Sequence, residues 1–556
     1  MAENMSALRK DRLVAVIGSG AMGAGIAQVA AVAGYTVKLY DTRPEAVAKA
    51  ISDIALVFNK LVAKERMSAV AAAAAIARLQ AAVTLDDVAG AGLVVEAIVE
   101  NLDAKRALFA ELEALVADDC ILATNTSSIS VTAIAAKLRV PGRLVGMHFF
   151  NPVPLMALVE VISGLATDAA VAQTVYDTAA AWGKHPVHAK STPGFIINRV
   201  ARPFYAEAWR LLGERAADAA TIDAVMREAG GFRMGPFELM DLIGHDVNFS
   251  VTQSVFGAYF NDPRFTPSVL QQEMVNAGFL GRKSGRGFYM YGESAGSANV
   301  AAVQLPHAEP AQPAPEFVSY RVEQGAAAGA PRVAGSVVAD ALAERLRASG
   351  IAVKQRQAAE TRSHAGSTTG GGIGIGPGAG IGASADDAPA FHCHGATVYL
   401  TDGRSATERA RDNQHADTVL FDLALDYASA KRIAVTCADQ CSPAAYQAVV
   451  GLFQAAGFVV TRLDDVPGMA VMRTVAMLAN EAADAVNQGV CSAEAADVAM
   501  QKGVNYPRGP LAWADAIGIG QIVTVLTNLA ASYGEDRYRV SPLLRRKHAS
   551  GATFHA

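Results

Sequence analysis

Cysteine is scarce in this sequence: five occur among 556 residues, and they are scattered along the chain. So sparse a set provides no disulfide framework and is typical of proteins kept in a reducing, cytoplasmic compartment. His392, Cys393 and His394 lie far from the pair Cys437 and Cys441, and neither group has the paired spacing of metal ligands. We therefore expect a cytoplasmic protein without a metal site.

Long apolar runs and an excess of charge are also missing. No uninterrupted apolar stretch is long enough to span a bilayer, and the polar residues 1–11 contain no apolar signal core. The net charge of −5 is small for this length and argues against a nucleic-acid-binding protein. By contrast, 51% of the residues are hydrophobic, enough to fill the cores of several domains. We expect neither a membrane nor a nucleic acid as partner.

A dinucleotide-binding fingerprint stands near the amino end. The β-branched run Leu13–Ile17 predicts a buried parallel strand, and glycines follow it before a helical stretch. Gly18 permits a tight turn, Gly20 lets the backbone approach a pyrophosphate, and Gly23 lets the helix pack closely on the strand. The residues expected to form the cofactor-binding turn are Gly18, Gly20, Ala21, Met22 and Gly23.

An acidic residue, Asp41, ends the next predicted strand, about twenty residues further on. From this position a carboxylate accepts hydrogen bonds from the adenosine ribose. A carboxylate here would repel a ribose 2′-phosphate, which favours NAD over NADP as cofactor. Arg43 follows closely in the sequence and leaves tolerance of NADP open.

The stretch from Asn125 to Glu160 holds the side chains that proton abstraction from a hydroxyl requires. His148 can accept the proton, Glu160 can orient the imidazole, and Ser127 can hold a substrate oxygen. Alternating strands and helices predict a doubly wound α/β sheet of the Rossmann type, whose ligands bind at the carboxyl ends of the strands. The alternative is a core histidine beside a strand-end charge. Further strands are predicted over 93–100, 121–124, 144–147 and 158–162, and an alanine-rich helix over 69–82.

Helices dominate after residue 191, and their pattern recurs further along the chain. Pro193–Phe195 returns as Pro467–Met469, and the same offset still relates Gly244 to Gly518. A register kept over this distance indicates a duplicated all-α helical domain. Asn198 could face the cleft, whereas the second copy has Met472 at that position, so we interpret the second copy as structural.

These patterns divide the chain into five segments. We expect an NAD-binding Rossmann domain at 1–191, a first helical copy at 192–291, a linker at 292–331, a degenerate α/β unit at 332–465 and a second helical copy at 466–556. The degenerate unit has no glycine fingerprint after a strand and contains a flexible glycine-rich loop at 369–382.

The motifs together resemble the 3-hydroxyacyl-CoA dehydrogenase family. The resemblance spans residues 13–289 and rests on the glycine turn and on five further stretches, 94–102, 125–128, 148–154, 192–199 and 281–289. The long form, with its second helical copy and the stretch 506–513, resembles the subgroup tied to phenylacetate breakdown, which acts on 3-hydroxyadipyl-CoA. Members pair through their helical domains, so the resemblance implies a homodimer or an intrachain pseudo-dimer.

The resemblance implies NAD-dependent oxidation of an (S)-3-hydroxyacyl-CoA to the 3-oxoacyl-CoA, a reaction of fatty-acid β-oxidation. It implies His148 as general base polarised by Glu160, and it implies substrate contacts from Ser127 and Asn198. The implied NAD contacts outside the glycine turn are Asp41, Glu100, Lys105, Asn151 and Lys283. The resemblance also implies that Lys60 and Lys64 contact the CoA phosphates, although taken alone they indicate a solvated helix face.

Three alternatives stay open. The substrate could be 3-hydroxybutyryl-CoA or another short-chain thioester, or a small 3-hydroxy acid without CoA. The chain could also be a non-catalytic nucleotide-binding scaffold that kept the fold. Arg202 and Arg233 are candidates for recognising a distal carboxylate on the substrate, but the sequence places neither of them.

Overall fold

The computed structural model of the protein describes residues 7–292, 305–322, 334–357 and 390–555. It contains two α/β units, each built on one sheet, and two helical units. The predicted fold class is therefore confirmed. The glycine-rich loop predicted at 369–382 lies outside the described residues.

The first α/β unit has eight strands and six helices. The strands are β1 (Leu13–Ile17), β2 (Val37–Tyr40), β3 (Leu79–Ala81), β4 (Ala91–Glu96), β5 (Ile121–Thr124), β6 (Leu144–Phe149), β7 (Leu158–Ser163) and β8 (His185–Lys190). The helices are α1 (Ala21–Val32), α2 (Pro44–Ala63), α3 (Ala69–Ala77), α4 (Leu102–Leu115), α5 (Val131–Ala135) and α6 (Ala169–Ala181). The strand order is β3-β2-β1-β4-β5-β6-β7-β8, and the pair β6–β7 alone among these is antiparallel.

Two elements of this unit differ from prediction. The strand predicted to end on Glu100 ends at Glu96, because its partner β1 ends at Ile17 and the chain then turns at Gly18. A Cβ at Gly18 would lie 2.5 Å from the carbonyl oxygen of Ala97. The turn therefore packs directly against the residue that follows β4. The alanine-rich helix stops at Ala77, since the next residues pair with β2 as edge strand β3. Tertiary pairing here overrides helix propensity.

The helical copies follow each α/β unit. The first comprises α7 (Ile197–Val200), α8 (Arg202–Gly213), α9 (Ala219–Glu228), α10 (Pro236–Ile243), α11 (His245–Ala258) and α12 (Val269–Asn276). The second comprises α16 (Val471–Asn487), α17 (Ala493–Gly503), α18 (Pro510–Ile517), α19 (Ile519–Tyr533) and α20 (Pro542–Ser550). The helical copies keep the offset found in the sequence: α10 begins at Pro236 and α18 at its repeat counterpart, Pro510.

The second α/β unit begins earlier than predicted. Its strands are β9 (Phe317–Val322), β10 (Ala352–Gln357), β11 (Phe391–Cys393), β12 (Ala396–Leu400), β13 (Thr418–Phe421), β14 (Arg432–Cys437) and β15 (Val459–Arg462), in the order β10-β9-β11-β12-β13-β14-β15. Its described helices are α13 (Ala334–Ala348), α14 (Ala406–Asp412) and α15 (Pro443–Ala455). The linker prediction for 292–331 was wrong over β9, whose β-branched and aromatic residues pair with both β10 and β11.

The two helical copies pack against each other through a pair of buried ion pairs. Arg199 Nε donates to Glu481 Oε1 at 2.6 Å, and Arg473 Nε donates to Glu207 Oε2 at 2.6 Å. All four side chains are buried. Since positions 473 and 481 are the repeat counterparts of 199 and 207, the same contact is made twice in opposite directions. That reciprocity is the pattern of a two-fold dimer interface, here contained within one chain.

Membrane-spanning helices require both length and apolar composition. No single helix among the described residues meets both requirements. The pair Pro510–Ile517 and Ile519–Tyr533 meets them only when taken together, and the two helices are bent by 100° at their junction.

Candidate active site

His148 and Glu160 form a buried pair at the carboxyl edge of the first sheet. They lie directly opposite each other because β6 and β7 are antiparallel, with His148 registered against Glu160. His148 Nδ1 lies 2.7 Å from Glu160 Oε2, and the two residues are 4% and 0% exposed. The rings of Phe150 and Phe195 pack against the imidazole, with centroids 4.5 and 5.7 Å from its own.

The second oxygen of Glu160 fixes its orientation. Oε1 accepts hydrogen bonds from the backbone N–H groups of Ile196 and Ile197, both at 3.0 Å. These are donors at the start of α7 that have no intrahelical partner, so the carboxylate also caps the helix that carries Asn198. With Oε1 held by the helix, Oε2 must face His148. Sequence reasoning assigned the pair but not this second contact.

The glycine turn joins β1 to α1 as its fingerprint predicts. Gly18 has a φ of +102°, and a Cβ at Gly23 would lie 1.8 Å from the carbonyl oxygen of Gly18. A Cβ at Gly20 would meet no described atom within 4 Å, which leaves open space in front of the helix. The first turn of α1 contains no acidic residue and its N-cap makes no side-chain hydrogen bond. Its free N–H groups can therefore receive an anion.

Asp41 lies at the end of β2 beside this turn. Its Oδ2 accepts hydrogen bonds from the Ser19 backbone at 2.9 Å and from the Ser19 hydroxyl at 2.8 Å, and its Oδ1 accepts one from the Arg43 backbone. Burial raises the pKa of this carboxyl, but these hydrogen bonds outweigh burial and hold the pKa below its ordinary value. Asp41 is thus an ionised carboxylate held beside the glycine turn by Ser19 and Arg43. Ala21 and Met22 are the first two residues of α1 and directly follow the glycine turn.

Glu100 organises the loop that carries Ser127. One oxygen of Glu100 accepts hydrogen bonds from the Thr126 hydroxyl, from the backbone N–H of Ser127 and from both donors of Ser128, at 2.7–3.0 Å. Burial raises the pKa of Glu100, whereas these hydrogen bonds and the charge of Lys105 lower it below its ordinary value overall. The hydroxyl-bearing Ser127 side chain is left exposed on the loop surface.

Lys105 is buried beneath this loop, 1% exposed. Its ammonium lies 2.6 Å from Glu96 and 3.3 Å from Glu100. The Thr124 hydroxyl donates to the other Glu96 oxygen at 2.7 Å. Sequence reasoning placed Lys105 against NAD and missed Glu96. The missed signal was an acidic residue inside an otherwise apolar strand, shortly before a lysine in the sequence.

The other predicted residues lie on separate segments of the chain. Asn198 lies half-buried on α7, and Asn151 is exposed beside a cis peptide bond to Pro152. Lys283 lies beyond α12 and forms an ion pair with Asp246 at 2.6 Å. Lys60 and Lys64 are exposed at the end of α2, and within the described part of the chain their side chains form no hydrogen bond or ion pair with the groups above.

The sheet order brings the glycine turn and the histidine to the same edge. β1, β4, β5 and β6 are adjacent and parallel, so their carboxyl ends meet there. β1 and β6 are three strands apart, about 14 Å at ~4.8 Å per strand. A dinucleotide lies across the carboxyl ends of such a sheet.

The described residues of the second α/β unit carry no pair equivalent to His148 and Glu160. At the offset that relates the helical copies, the counterpart of His148 is Asp422 and the counterpart of Glu160 is Ala434. The Asp422 carboxylate accepts hydrogen bonds from the backbone of residues 470–472 at 2.7–2.9 Å, at the start of α16. An acid at the histidine position therefore caps the helix alone, and the described residues of this unit contain no imidazole–carboxylate pair in that register.

Comparison with protein families matches four stretches of the chain. The 3-hydroxyacyl-CoA dehydrogenase NAD binding domain matches residues 13–192. The 3-hydroxyacyl-CoA dehydrogenase C-terminal domain matches twice, at 194–291 and 468–553. The 3-hydroxybutyryl-CoA dehydrogenase reduced Rossmann-fold domain matches residues 398–467.

Individual relatives cover either the whole chain or its first half. The 3-hydroxyadipyl-CoA dehydrogenase of Escherichia coli strain K12 is 40% identical over 534 residues, 96% of this chain and 97% of its own. The human mitochondrial hydroxyacyl-coenzyme A dehydrogenase is 40% identical over 284 residues, 50% of this chain and 90% of its own. The crystal structure of 3-hydroxybutyryl-CoA dehydrogenase from E. coli K12 superposes with a TM-score of 0.81 at 38% identity, over 98% of this chain and 100% of that one.

Proposed function

This chain belongs to the 3-hydroxyacyl-CoA dehydrogenase family, and from that premise we propose that its first half carries the active site, with His148 as the general base. The reaction is the NAD-dependent oxidation of an (S)-3-hydroxyacyl-CoA to the 3-oxoacyl-CoA. NAD, when bound, supplies the acceptor for the hydride that leaves C3. The observation that carries the proposal is the 2.7 Å contact between His148 and Glu160.

His148 takes the proton of the substrate hydroxyl on Nε2. Because Glu160 Oε2 accepts from Nδ1, the neutral ring keeps its other nitrogen free to act as a base. The carboxylate also stabilises the imidazolium that forms, and the phenylalanine rings around it exclude water from the pair. Ser127 and Asn198 hold the 3-oxygen and the thioester region of the substrate.

The residues around the glycine turn suit NAD. The open space at Gly20 and the uncapped start of α1 would receive the pyrophosphate, and Asp41 would accept hydrogen bonds from the adenosine ribose. Glu100, Asn151 and Lys283 would line the remainder of the cofactor site. We propose that Lys105 acts through Glu100, since its ammonium is buried against that carboxylate.

Substitution of the base tests the proposal. His148→Gln keeps a polar side chain of similar length but cannot accept the proton, so kcat should fall about 10²- to 10⁴-fold. NAD affinity, measured by fluorescence titration, should change little because no cofactor contact is lost. A variant that keeps most of the wild-type turnover would remove His148 from the mechanism, and a wild-type protein without NADH formation would favour the scaffold alternative.

We propose 3-hydroxyadipyl-CoA as the preferred substrate, because the relative of that name matches nearly the full length of this chain. The alternative is 3-hydroxybutyryl-CoA, the substrate named for other relatives. Comparing kcat/KM on the two thioesters distinguishes them. Lys60 and Lys64 would meet the CoA phosphates, so Lys60→Ala with Lys64→Ala should raise KM for the thioester and leave a hydroxy acid without CoA unaffected.

We also infer that the intrachain pairing of helical copies replaces the homodimer interface of shorter relatives. The reciprocal pairs Arg199–Glu481 and Arg473–Glu207 already occupy the face through which two subunits would meet. That face is then not available to a second subunit, and a dimer that dissociates in Arg473→Met would contradict the inference.

A further inference from the structure

A cavity of about 560 Å³ lies beside α8 and is lined by residues of both helical copies. Aromatic and apolar side chains form much of its wall, including Tyr205, Trp209 and Phe265. Three acidic residues also reach the wall, namely Glu214, Glu535 and Asp536. Each of these carboxylates is already paired with an arginine, through the contacts Glu214–Arg473, Glu535–Arg210 and Asp536–Arg539.

Arg202 also lines this cavity, and its charge lacks such a partner. It is 6% exposed, and among the described residues no carboxylate lies within ion-pairing distance of it. Its recorded contacts are a hydrogen bond from Nη1 to the Thr252 hydroxyl at 3.1 Å and the Tyr205 ring, whose centroid is 4.9 Å from Cζ. Nε has no hydrogen-bond partner in the part of the chain that the structure describes. Burial lowers the pKa of this guanidinium, with only partial compensation from neighbouring tyrosines.

The position of Arg202 relates the cavity to the active site. Ala201, between α7 and α8, has φ −77° and ψ −11°, so the helical path continues from Asn198 to Arg202. Residues four apart share one face of a helix, and their Cα atoms are about 6 Å apart along the axis. α11 packs beside Arg202, since Nη1 donates a hydrogen bond to Thr252 of that helix.

The length of a six-carbon dicarboxylic acyl chain suits this spacing. Its distal carboxyl carbon is three C–C bonds of about 1.5 Å beyond C3, a reach of about 4 Å. A substrate whose 3-oxygen lies near Asn198 would then carry its carboxylate towards the guanidinium one helical turn further along. A buried guanidinium without an acidic partner is costly, and a substrate carboxylate would offset that cost through charge-assisted hydrogen bonds.

We propose that Arg202 binds the distal carboxylate of a dicarboxylic 3-hydroxyacyl-CoA and thereby sets the substrate preference of this enzyme. The proposal rests on the dehydrogenase function proposed above. It selects Arg202 over Arg233, because Arg233 is exposed and lines a separate, smaller cavity of about 280 Å³.

The test compares two six-carbon substrates that differ only at the distal end, 3-hydroxyadipyl-CoA and 3-hydroxyhexanoyl-CoA. In the wild type kcat/KM should favour the adipyl thioester. In Arg202→Met the ratio of the two kcat/KM values should fall on the order of 10²- to 10³-fold, the usual effect of removing one partner of a buried charge pair. Competitive inhibition by adipyl-CoA and hexanoyl-CoA should show the same loss of preference for the dicarboxylic thioester, and this measurement does not depend on turnover of either inhibitor.

Arg233→Met is the matched control, since it removes the same charge from an exposed site, and it should leave the ratio unchanged. Thermal unfolding of both variants checks that the fold is retained. Equal losses on both substrates in Arg202→Met, or a shift in the ratio confined to Arg233→Met, would overturn the proposal. A wild type that oxidises neither thioester would instead remove the dehydrogenase function, so the two failures are distinguishable.

Discussion

Glu160→Gln separates the two tasks of this carboxylate. Oε1 accepts two backbone N–H groups from Ile196 and Ile197, and Oε2 faces His148 Nδ1 at 2.7 Å. A glutamine amide has one acceptor and one donor end. The helix N–H groups will hold the amide oxygen, so the NH₂ group must turn towards Nδ1. The imidazole then accepts at Nδ1 and carries its proton on Nε2, where the substrate hydroxyl needs a base.

The expected loss of kcat follows from that tautomer. The equivalent carboxylate-to-amide change behind a catalytic histidine costs about 10⁴-fold in kcat, or about 5 kcal/mol in activation free energy. The assay is NADH formation at saturating substrate, with NAD affinity measured separately and expected to stay near the wild-type value. Asp422→Asn is the matched control, because it makes the same change at a carboxylate that caps α16 and has no histidine partner in that register, and it should lower thermal stability without lowering kcat. Retention of more than about one tenth of the wild-type kcat by Glu160→Gln would refute the tautomer argument.

Three further predictions address the cofactor turn and the helical interface. Gly23→Ala places a Cβ 1.8 Å from Gly18 O, so α1 must shift, and kcat/KM for NAD should fall about 10²-fold without a comparable change in KM for the thioester. The pKa of Asp41 is held below its ordinary value, so the side chain stays ionised at any pH above about 4. KM for NAD should therefore not change between pH 7 and pH 5 through this group, and a rise over that range would contradict the structure. Arg473→Met leaves Glu207 buried and should cost about 3–5 kcal/mol in denaturant unfolding, whereas adding Glu207→Met should recover most of that loss; a double variant no more stable than the single one would argue against the pair.

Local patterns in the sequence predicted much of the fold and the candidate site. The turn after Leu13–Ile17 needs glycine at Gly18 and Gly23, where a side chain would not fit. The glycine spacing therefore predicts the nucleotide-binding unit from local steric constraints. The duplicated helical domain was predicted from a constant offset between matching residues, such as Gly244 and Gly518. That offset can be found without knowing any contact in the fold. His148 and Glu160 were identified as candidates from residue type and from the family resemblance, not from any knowledge of their separation.

Contacts between distant parts of the chain were decided by the tertiary structure. The register of β6 against β7 places Glu160 opposite His148, and a slip of one residue would turn the two side chains to opposite faces. Glu96 ends β4 opposite Ile17 of β1, and Lys105 reaches it there from α4. The sequence by itself determined which local elements form and which polar residues stand out. The tertiary structure determined which carboxylate meets which cation or imidazole, because those pairings depend on strand register and helix packing that no local window contains.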